Sequence, residues 1–479
     1  MDRLATIFKD VNDWTTLHVL IWMLIGAGLY FTIRTRFVQI RLFGRMIRQI
    51  FDSRTSDGEG ISSFQAFAIG IASRVGTGNI AGVAIAIKLG GAGAVFWMWL
   101  VAFLGMASAF VEAVLAQLFK IRWPDGTFRG GPAFYIQRGL GSRAWGVAFA
   151  VFLIFSFGIS YEMVQANTIA DTLDEQYGIA PWATALVLLA LCAPILYGGL
   201  KRVAKISEWV APLMAIVYIG LAVVVVAMNL DRVYPTFKAI LGSAFGAHEV
   251  IGGLAGSMAA AMLNGVRRGL FSNEAGEGSA PNAASTAQVT HPAKQGLIQS
   301  MGVFVDTILV CSATAFMIFN ATPGALDGYW RQEDPKGANI TITAIESQLG
   351  SWVVPVMVVL ICVFAGSSLI GNYAYAEVNV DFLTRGKRWG PRLLQTVAVA
   401  SIVTGSLSSL KLVWNFADIT MTGMALINIV AIVLLGRWAF GCLRDYVQDP
   451  ERPFVATDNA NMPGALPTDI WVPRATALT

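Results

Sequence analysis

Eleven runs of mostly apolar residues follow one another along this chain, near 17–33, 63–89, 93–119, 144–170, 182–199, 208–229, 250–282, 294–320, 352–383, 393–410 and 413–436. A bilayer core is about 30 Å thick and is crossed by about 20 apolar residues in a helix. Helices satisfy their own backbone inside lipid, which open strands do not. The pattern therefore predicts an all-α polytopic membrane protein with eleven transmembrane helices. Composition agrees: 55% of the 479 residues are hydrophobic and 13% are charged, against roughly 25% charged in soluble domains. The net charge of +4 is small. No basic stretch is interleaved with aromatics outside membrane flanks, which argues against nucleic acid. Cys192, Cys311, Cys362 and Cys442 are scattered, and His18, His248 and His291 lie far apart. This spacing builds neither a disulfide framework nor a metal site, and no other cofactor is expected.

Lysine and arginine in short loops set orientation. Arg34, Arg36, Arg41, Arg45, Arg48 and Arg54 follow the first run, and Lys120, Arg122, Arg129, Arg138 and Arg143 follow the third. Lys201, Arg202, Lys205, Arg385, Lys387, Arg388 and Arg392 fall on the same side, whereas Asp171, Asp174, Glu175, Asp327, Glu333 and Asp334 fall opposite. The N-terminus is predicted outside and the C-terminus in the cytoplasm of a cell (inner) membrane protein. Residues 37–51 alternate arginines with Phe, Ile, Leu and Met and read as an amphipathic helix on the inner leaflet. The expected organisation is a peripheral helix and amphipathic segment (1–54), a core (55–440) and a proline-rich, mostly irregular cytoplasmic tail (441–479).

Two runs are interrupted. The second contains Arg74-Val75-Gly76-Thr77-Gly78-Asn79, and the seventh runs from Asn264-Gly265 through Arg267-Arg268 to Glu274-Ala275-Gly276-Glu277-Gly278-Ser279. Glycine costs about 1 kcal/mol against alanine inside a helix, and irregular backbone at membrane depth survives only against protein or a wet cavity. Each interruption begins a set of five runs, 63–229 and 250–436. Odd-numbered sets in sequence have opposite topology, and a broken first helix in each half points to an inverted-repeat transporter with a midplane site. Close packing of small residues, such as the Gly78/Gly82 pair, is the competing explanation for the glycines.

Three stretches resemble the alanine or glycine:cation symporter family. They are Gly76-Thr77-Gly78-Asn79-Ile80-Ala81-Gly82-Val83, continued by Gly90 to Trp99; Met163-Val164-Gln165-Ala166-Asn167; and Arg268 to Pro281, continued by His291-Pro292, Gln295-Gly296 and Gly302 to Thr307. The resemblance covers about 60–385. It implies the leucine-transporter-like fold, a ten-helix inverted-repeat core with two unwound helices, sodium coupling and substrates such as alanine or glycine. Ala92 replaces the family's usual proline. Asn372 stands where many members carry a pocket tryptophan, which opens the site to a longer or more polar amino acid.

A zwitterionic substrate needs donors for its carboxylate. Backbone amides from Gly76 to Gly78, at the positive end of a half-helix, offer them, with the hydroxyl of Thr77 and the amide of Asn79. Asn264 and Gly265 are assigned to the substrate site from the second interruption, and Asn372 from the ninth run. The resemblance implies Gln165 as a side-chain contact; an interhelical hydrogen bond is the plainer reading of it. Sodium prefers oxygen, which unwound carbonyls and hydroxyls supply in such transporters. The likeness places the carbonyls of Ala72, Val75 and Phe364 with the hydroxyls of Ser367 and Ser368. Alternatively, both serines bond the carbonyl one turn earlier. Arg74, Glu112, Glu162, Arg267, Arg268, Glu274, Glu277, Asp306, Glu377 and Asp418 are ionisable residues within runs and should pair in the interior. Arg268 with Glu274 or Asp306 is the expected gate, and Glu112 or Glu162 could instead take a proton.

The function expected is sodium-coupled symport of a small neutral amino acid by alternating access. A sodium- or proton-coupled carrier of another solute, such as glutamine or a nucleobase, is the nearest rival. A membrane enzyme would need a nucleophile–base pair or metal cluster at one depth, which three isolated histidines do not supply. An ion channel would conduct ions without a solute.

Overall fold

A computed structural model describes residues 10–52, 60–246, 258–332 and 336–473. Arg54, His248, Glu333, Asp334 and the first part of the seventh predicted run lie outside these residues.

Every predicted run is mostly helical where it is described. Helix α1 (Asp10–Arg34) leads to α2 (Phe43–Asp52), a short amphipathic helix. Then follow α3 (Ser63–Arg74), α4 (Val83–Gly90) and α5 (Gly93–Leu118). A two-strand ribbon, Ile121–Arg122 with Phe128–Arg129, precedes α6 (Pro132–Gly139) and the long α7 (Arg143–Tyr177). Helices α8 (Pro181–Leu196), α9 (Gly199–Met228) and α10 (Leu230–Ala244) complete the first part. The second part holds α11 (Met258–Asn273), α12 (Ala280–Thr286), α13 (Pro292–Phe319), α14 (Gly337–Leu349), α15 (Val353–Thr384), α16 (Trp389–Leu407) and α17 (Leu410–Gln448). Among the described residues, seven helices are long and apolar enough to cross a membrane, and α3 with Gly78–Gly90, bent by 47°, makes an eighth.

The ends follow local chemistry. Ser62 caps α3: its hydroxyl accepts the Gln65 N–H at 3.0 Å, and the Gln65 side chain accepts the Ser62 N–H at 3.1 Å, the reciprocal capping box. Proline occupies the first turn of α6, α8 and α13, where its missing N–H is not needed. Four stretches widen into π-turns: Thr16–Leu20, Gly78–Gly82, Ser156–Ser160 and Phe304–Cys311. Such turns concentrate at functional sites.

Two packed groups organise the core. In one, α5 lies against α11, α12 and α13, with α4 on α11; in the other, α7, α8, α15 and α16 pack together. Helix α3 bridges them by packing on α12 and α13 of the first and α15 of the second. The region after 440 departs from the expected boundary: α17 continues to Gln448 before the chain turns irregular. The irregular part is docked, not loose. Trp471 is buried and donates its indole N–H to the Gln117 carbonyl at 2.8 Å, and the Phe454 N–H bonds the Thr290 carbonyl at 2.9 Å.

Candidate substrate and ion site

The first break is short. Helix α3 ends at Arg74, Val75 leaves helical geometry (φ −79°, ψ 82°), and the helix resumes with the π-turn Gly78–Gly82. The side chain of Asn79 turns back and accepts the Gly76 N–H at 2.9 Å. The Thr77 N–H donates to Gln165 Oε1 at 3.1 Å, so α7 meets the break directly. Asn79 Nδ2 donates to Asp306 Oδ1 at 2.6 Å on α13. The Thr77 hydroxyl is buried and has no hydrogen-bond partner. A buried hydroxyl left unmade costs about 1–3 kcal/mol, so its position asks for a ligand. The absence of a side chain at Gly76 is required: a Cβ there would collide with Ser368 Oγ.

The predicted ion residues converge beside this break. Ser367 Oγ donates to the Ala72 carbonyl at 3.3 Å and the Phe364 carbonyl at 2.8 Å. Ser368 Oγ donates to the carbonyls of Ala72 and Ser73, both at 2.9 Å. These are neutral hard oxygens from two helices, a donor set suited to a monovalent cation. Val75 is next to them in sequence, but among the described residues it bonds neither serine.

The second break falls in the last part of the interruption expected over Asn264–Ser279. Helix α11 runs without interruption through Asn264 and Gly265 to Asn273. Asn264 donates to the Ala260 carbonyl of its own helix at 2.9 Å, and Gly265 lies against the Ala94 carbonyl with no room for a Cβ. Gly265 is thus a packing glycine, and the two residues are not at the break. The chain unwinds over Glu274–Ser279, with Glu274, Gly276 and Gly278 at φ 58°, 94° and 88°. Its free backbone groups are met by Glu112, which the sequence offered as an alternative proton site, and by Asn428, which carried no assignment. Glu112 Oε2 accepts the Gly276 N–H at 3.1 Å, and Asn428 Nδ2 donates to the Gly276 carbonyl at 2.9 Å and to Glu112 Oε1 at 2.5 Å. Glu274 accepts from Ser73 at 2.7 Å and Ser279 at 2.8 Å, and lies 3.8 Å from Arg74 Nε.

Asn372 joins this second cluster. It accepts the Ser73 hydroxyl at 2.7 Å, while its own Nδ2 is buried without a partner. The expected pairing of Arg268 with Glu274 or Asp306 does not occur. Arg268 instead binds Asp418 of α17 at 2.5 Å with its guanidinium over the Trp414 ring at 4.1 Å, and Arg267 pairs with Asp13 at 2.5 Å. Phe271, whose ring abuts Gly78, lies between the tilted rings of Trp414 (4.7 Å) and Tyr161 (4.3 Å). These aromatics and the Arg268–Asp418 pair lie against the first break. Phe271 was visible in sequence only as part of a motif; Asp418 was expected to pair in the interior but its partner was not legible, and Trp414 gave no signal, because their partners lie about 150 residues away.

Two unwound helices meeting at a buried polar centre, within a helical bundle packed on a second helical group, define a secondary transporter of the leucine-transporter-like fold. The structure of MhsT in complex with L-phenylalanine shares this fold, with a TM-score of 0.58 at 15% identity over 81% of this chain and 93% of that one. The chain belongs to the sodium:alanine symporter family, which matches residues 1–456. Its relatives include the amino-acid carrier protein AlsT of Bacillus subtilis, 45% identical over 94% of each chain. The sodium/alanine symporter AgcS of Methanococcus maripaludis is 38% identical over 90% of this chain and 94% of that one. The probable sodium/glutamine symporter GlnT of B. subtilis is 42% identical over 91% and 89%. This chain is a multi-pass membrane carrier, not an enzyme.

Proposed function

We propose that this chain carries alanine or glycine into the cell together with sodium, binding the amino acid at the first break and the ion at Ala72, Phe364, Ser367 and Ser368. One observation carries the reading: the partnerless Thr77 hydroxyl stands beside two backbone N–H groups whose acceptors are side-chain oxygens of Asn79 and Gln165. A substrate carboxylate supplies the same acceptors, and its arrival releases Gln165 to contact the rest of the molecule. Sodium takes the oxygens that the serines now bridge, and the Val75 carbonyl, next to the break, completes its shell. Eleven spans in two five-helix halves of opposite topology, 63–229 and 250–436, provide alternating access, with the N-terminus outside an inner membrane and the tail in the cytoplasm. A tenfold sodium gradient is worth about 1.4 kcal/mol, and 100 mV adds about 2.3 kcal/mol per charge. One sodium therefore suffices for substantial accumulation of a neutral amino acid.

A glutamine-sized substrate is the second reading. It is favoured by Asn372, whose buried Nδ2 lacks an acceptor, and by the likeness to the probable sodium/glutamine symporter. Uptake of labelled L-alanine into proteoliposomes, under an inward sodium gradient and an equal potassium one, decides between them. Sodium-dependent uptake blocked by glycine supports the first reading. Sodium-dependent uptake of glutamine alone supports the second, and uptake indifferent to sodium overturns both.

A further inference from the structure

The arginines after α1 form a built surface, not a scattered charge. Helix α2 carries three stripes. Phe43, Met46 and Ile50 face the protein, with the Phe43 ring 5.0 Å from Phe304 on α13. Ile47 and Phe51 face outward, and with Ile40 just before α2 they make an exposed apolar edge; Ile40 and Phe51 are 61% and 67% exposed. Arg45 and Arg48, with Arg41 just before α2, form the third stripe, all exposed. A helix with an apolar edge beside a cationic edge lies in a membrane interface, acyl chains on one side and headgroups on the other.

Two of the arginines are held in place by the end of α17. The Arg34 guanidinium sits over the Phe440 ring at 5.2 Å, and that of Arg45 over the Tyr446 ring at 5.7 Å. Stacking on a ring face fixes the plane of a guanidinium and leaves its N–H edge available. Arg437, exposed, stands one turn before Phe440 on the same helix. Among the described residues Arg34, Arg45 and Arg437 have no carboxylate partner, whereas the neighbouring Arg48 is paired with Asp52 at 3.1 Å. Two oriented guanidinium groups and the exposed Arg437, all uncompensated among the described residues, thus border one face where α1, α2 and α17 meet, beside an apolar edge.

We propose that this face binds the headgroup of an anionic phospholipid, with Arg34, Arg45 and Arg437 on the phosphate and acyl chains along Ile40, Ile47 and Phe51. The apolar edge commits the site to a lipid over free phosphate, because a soluble anion makes no use of it. Since α2 rests on α13, the bound lipid braces a core helix from outside.

The test uses the purified full chain in vesicles of phosphatidylcholine, with or without phosphatidylglycerol, and reads thermal midpoint and retained phospholipid, neither of which depends on transport. Phosphatidylglycerol is expected to raise the midpoint. The triple variant Arg34→Gln, Arg45→Gln and Arg437→Gln loses that rise and retains less of the lipid, roughly fivefold less affinity for each arginine removed. A control replaces Arg385, Lys387 and Arg388, exposed cations elsewhere, with glutamine. Loss of the rise in the control as large as in the triple variant would mean general surface charge and overturn the site. So would an equal rise with inorganic phosphate in phosphatidylcholine vesicles, or an undiminished rise in the triple variant.

Discussion

The two helix breaks solve the same problem in opposite ways. At Gly76–Gly78 the freed N–H groups are met by neutral amide oxygens of Asn79 and Gln165, and a hydroxyl is left over. At Glu274–Ser279 the freed groups are met by Glu112 and Asn428, and the break's own Glu274 is held by Ser73, Ser279 and Arg74. Neutral, exchangeable partners suit a place where a ligand comes and goes. Carboxylates with several donors each suit a fixed strut. The difference teaches that an interrupted membrane helix is not by itself a binding site; what satisfies it decides.

The largest expected effect is on the strut. Glu112→Ala strands the Gly276 N–H in the interior, at about 1–3 kcal/mol for the buried group, and takes away one of the two acceptors of Asn428 Nδ2. Little monodisperse protein should survive size-exclusion in detergent, with Glu112→Gln partly restored. A well-folded Glu112→Ala protein altered only in ion affinity would erase the contrast between the breaks.

A second test concerns His291, just after the second break and before α13. It accepts the Ala293 N–H at 3.1 Å and faces Asp445 at 3.2 Å. Burial pushes its pKa down to about 4 from 6.5, against the opposing pull of Asp445. The unfolded chain takes up the proton first as pH falls, so stability is full above about 6.5 and declines towards about 4. The shift is worth about 3 kcal/mol. The thermal midpoint should fall across that window and flatten in His291→Asn.

The ligand-facing break gives smaller, more selective effects. Gly76→Ala places a methyl against Ser368 Oγ, an overpacking cost of about 2 kcal/mol. The sodium concentration for half-maximal uptake should rise more than tenfold. Thr77→Val removes a hydroxyl that bonds nothing in the protein, so the thermal midpoint should hold. The alanine concentration for half-maximal uptake should rise roughly tenfold, one lost hydrogen bond. An unchanged value would show that the hydroxyl faces away from the substrate.

Much of this was legible in the sequence. Apolar runs located the helices, and polar residues flanking glycines inside an apolar run located the first break to the residue. The convergence of Ala72, Phe364, Ser367 and Ser368 followed from family likeness. The second break was bracketed between Asn264 and Ser279 but not narrowed, because sequence does not distinguish a glycine needed for packing, such as Gly265 on Ala94, from one needed for positive φ, such as Gly276. Left-handed geometry at Glu274 has no residue-type signal. The partner of Arg268 was unreadable because pairing across about 150 residues depends on which helices touch. The tail's docking was hidden by its prolines, which mark irregular backbone but not what that backbone rests on.

That docking has a practical corollary. Trp471 covers the Gln117 carbonyl at the end of α5, and its ring lies 5.2 Å from the Lys120 ammonium. Cutting the chain ahead of Trp471 uncovers the end of a core helix. A version of this carrier shortened before Trp471 is therefore a different reagent from the full chain, and a rate measured on one does not transfer to the other.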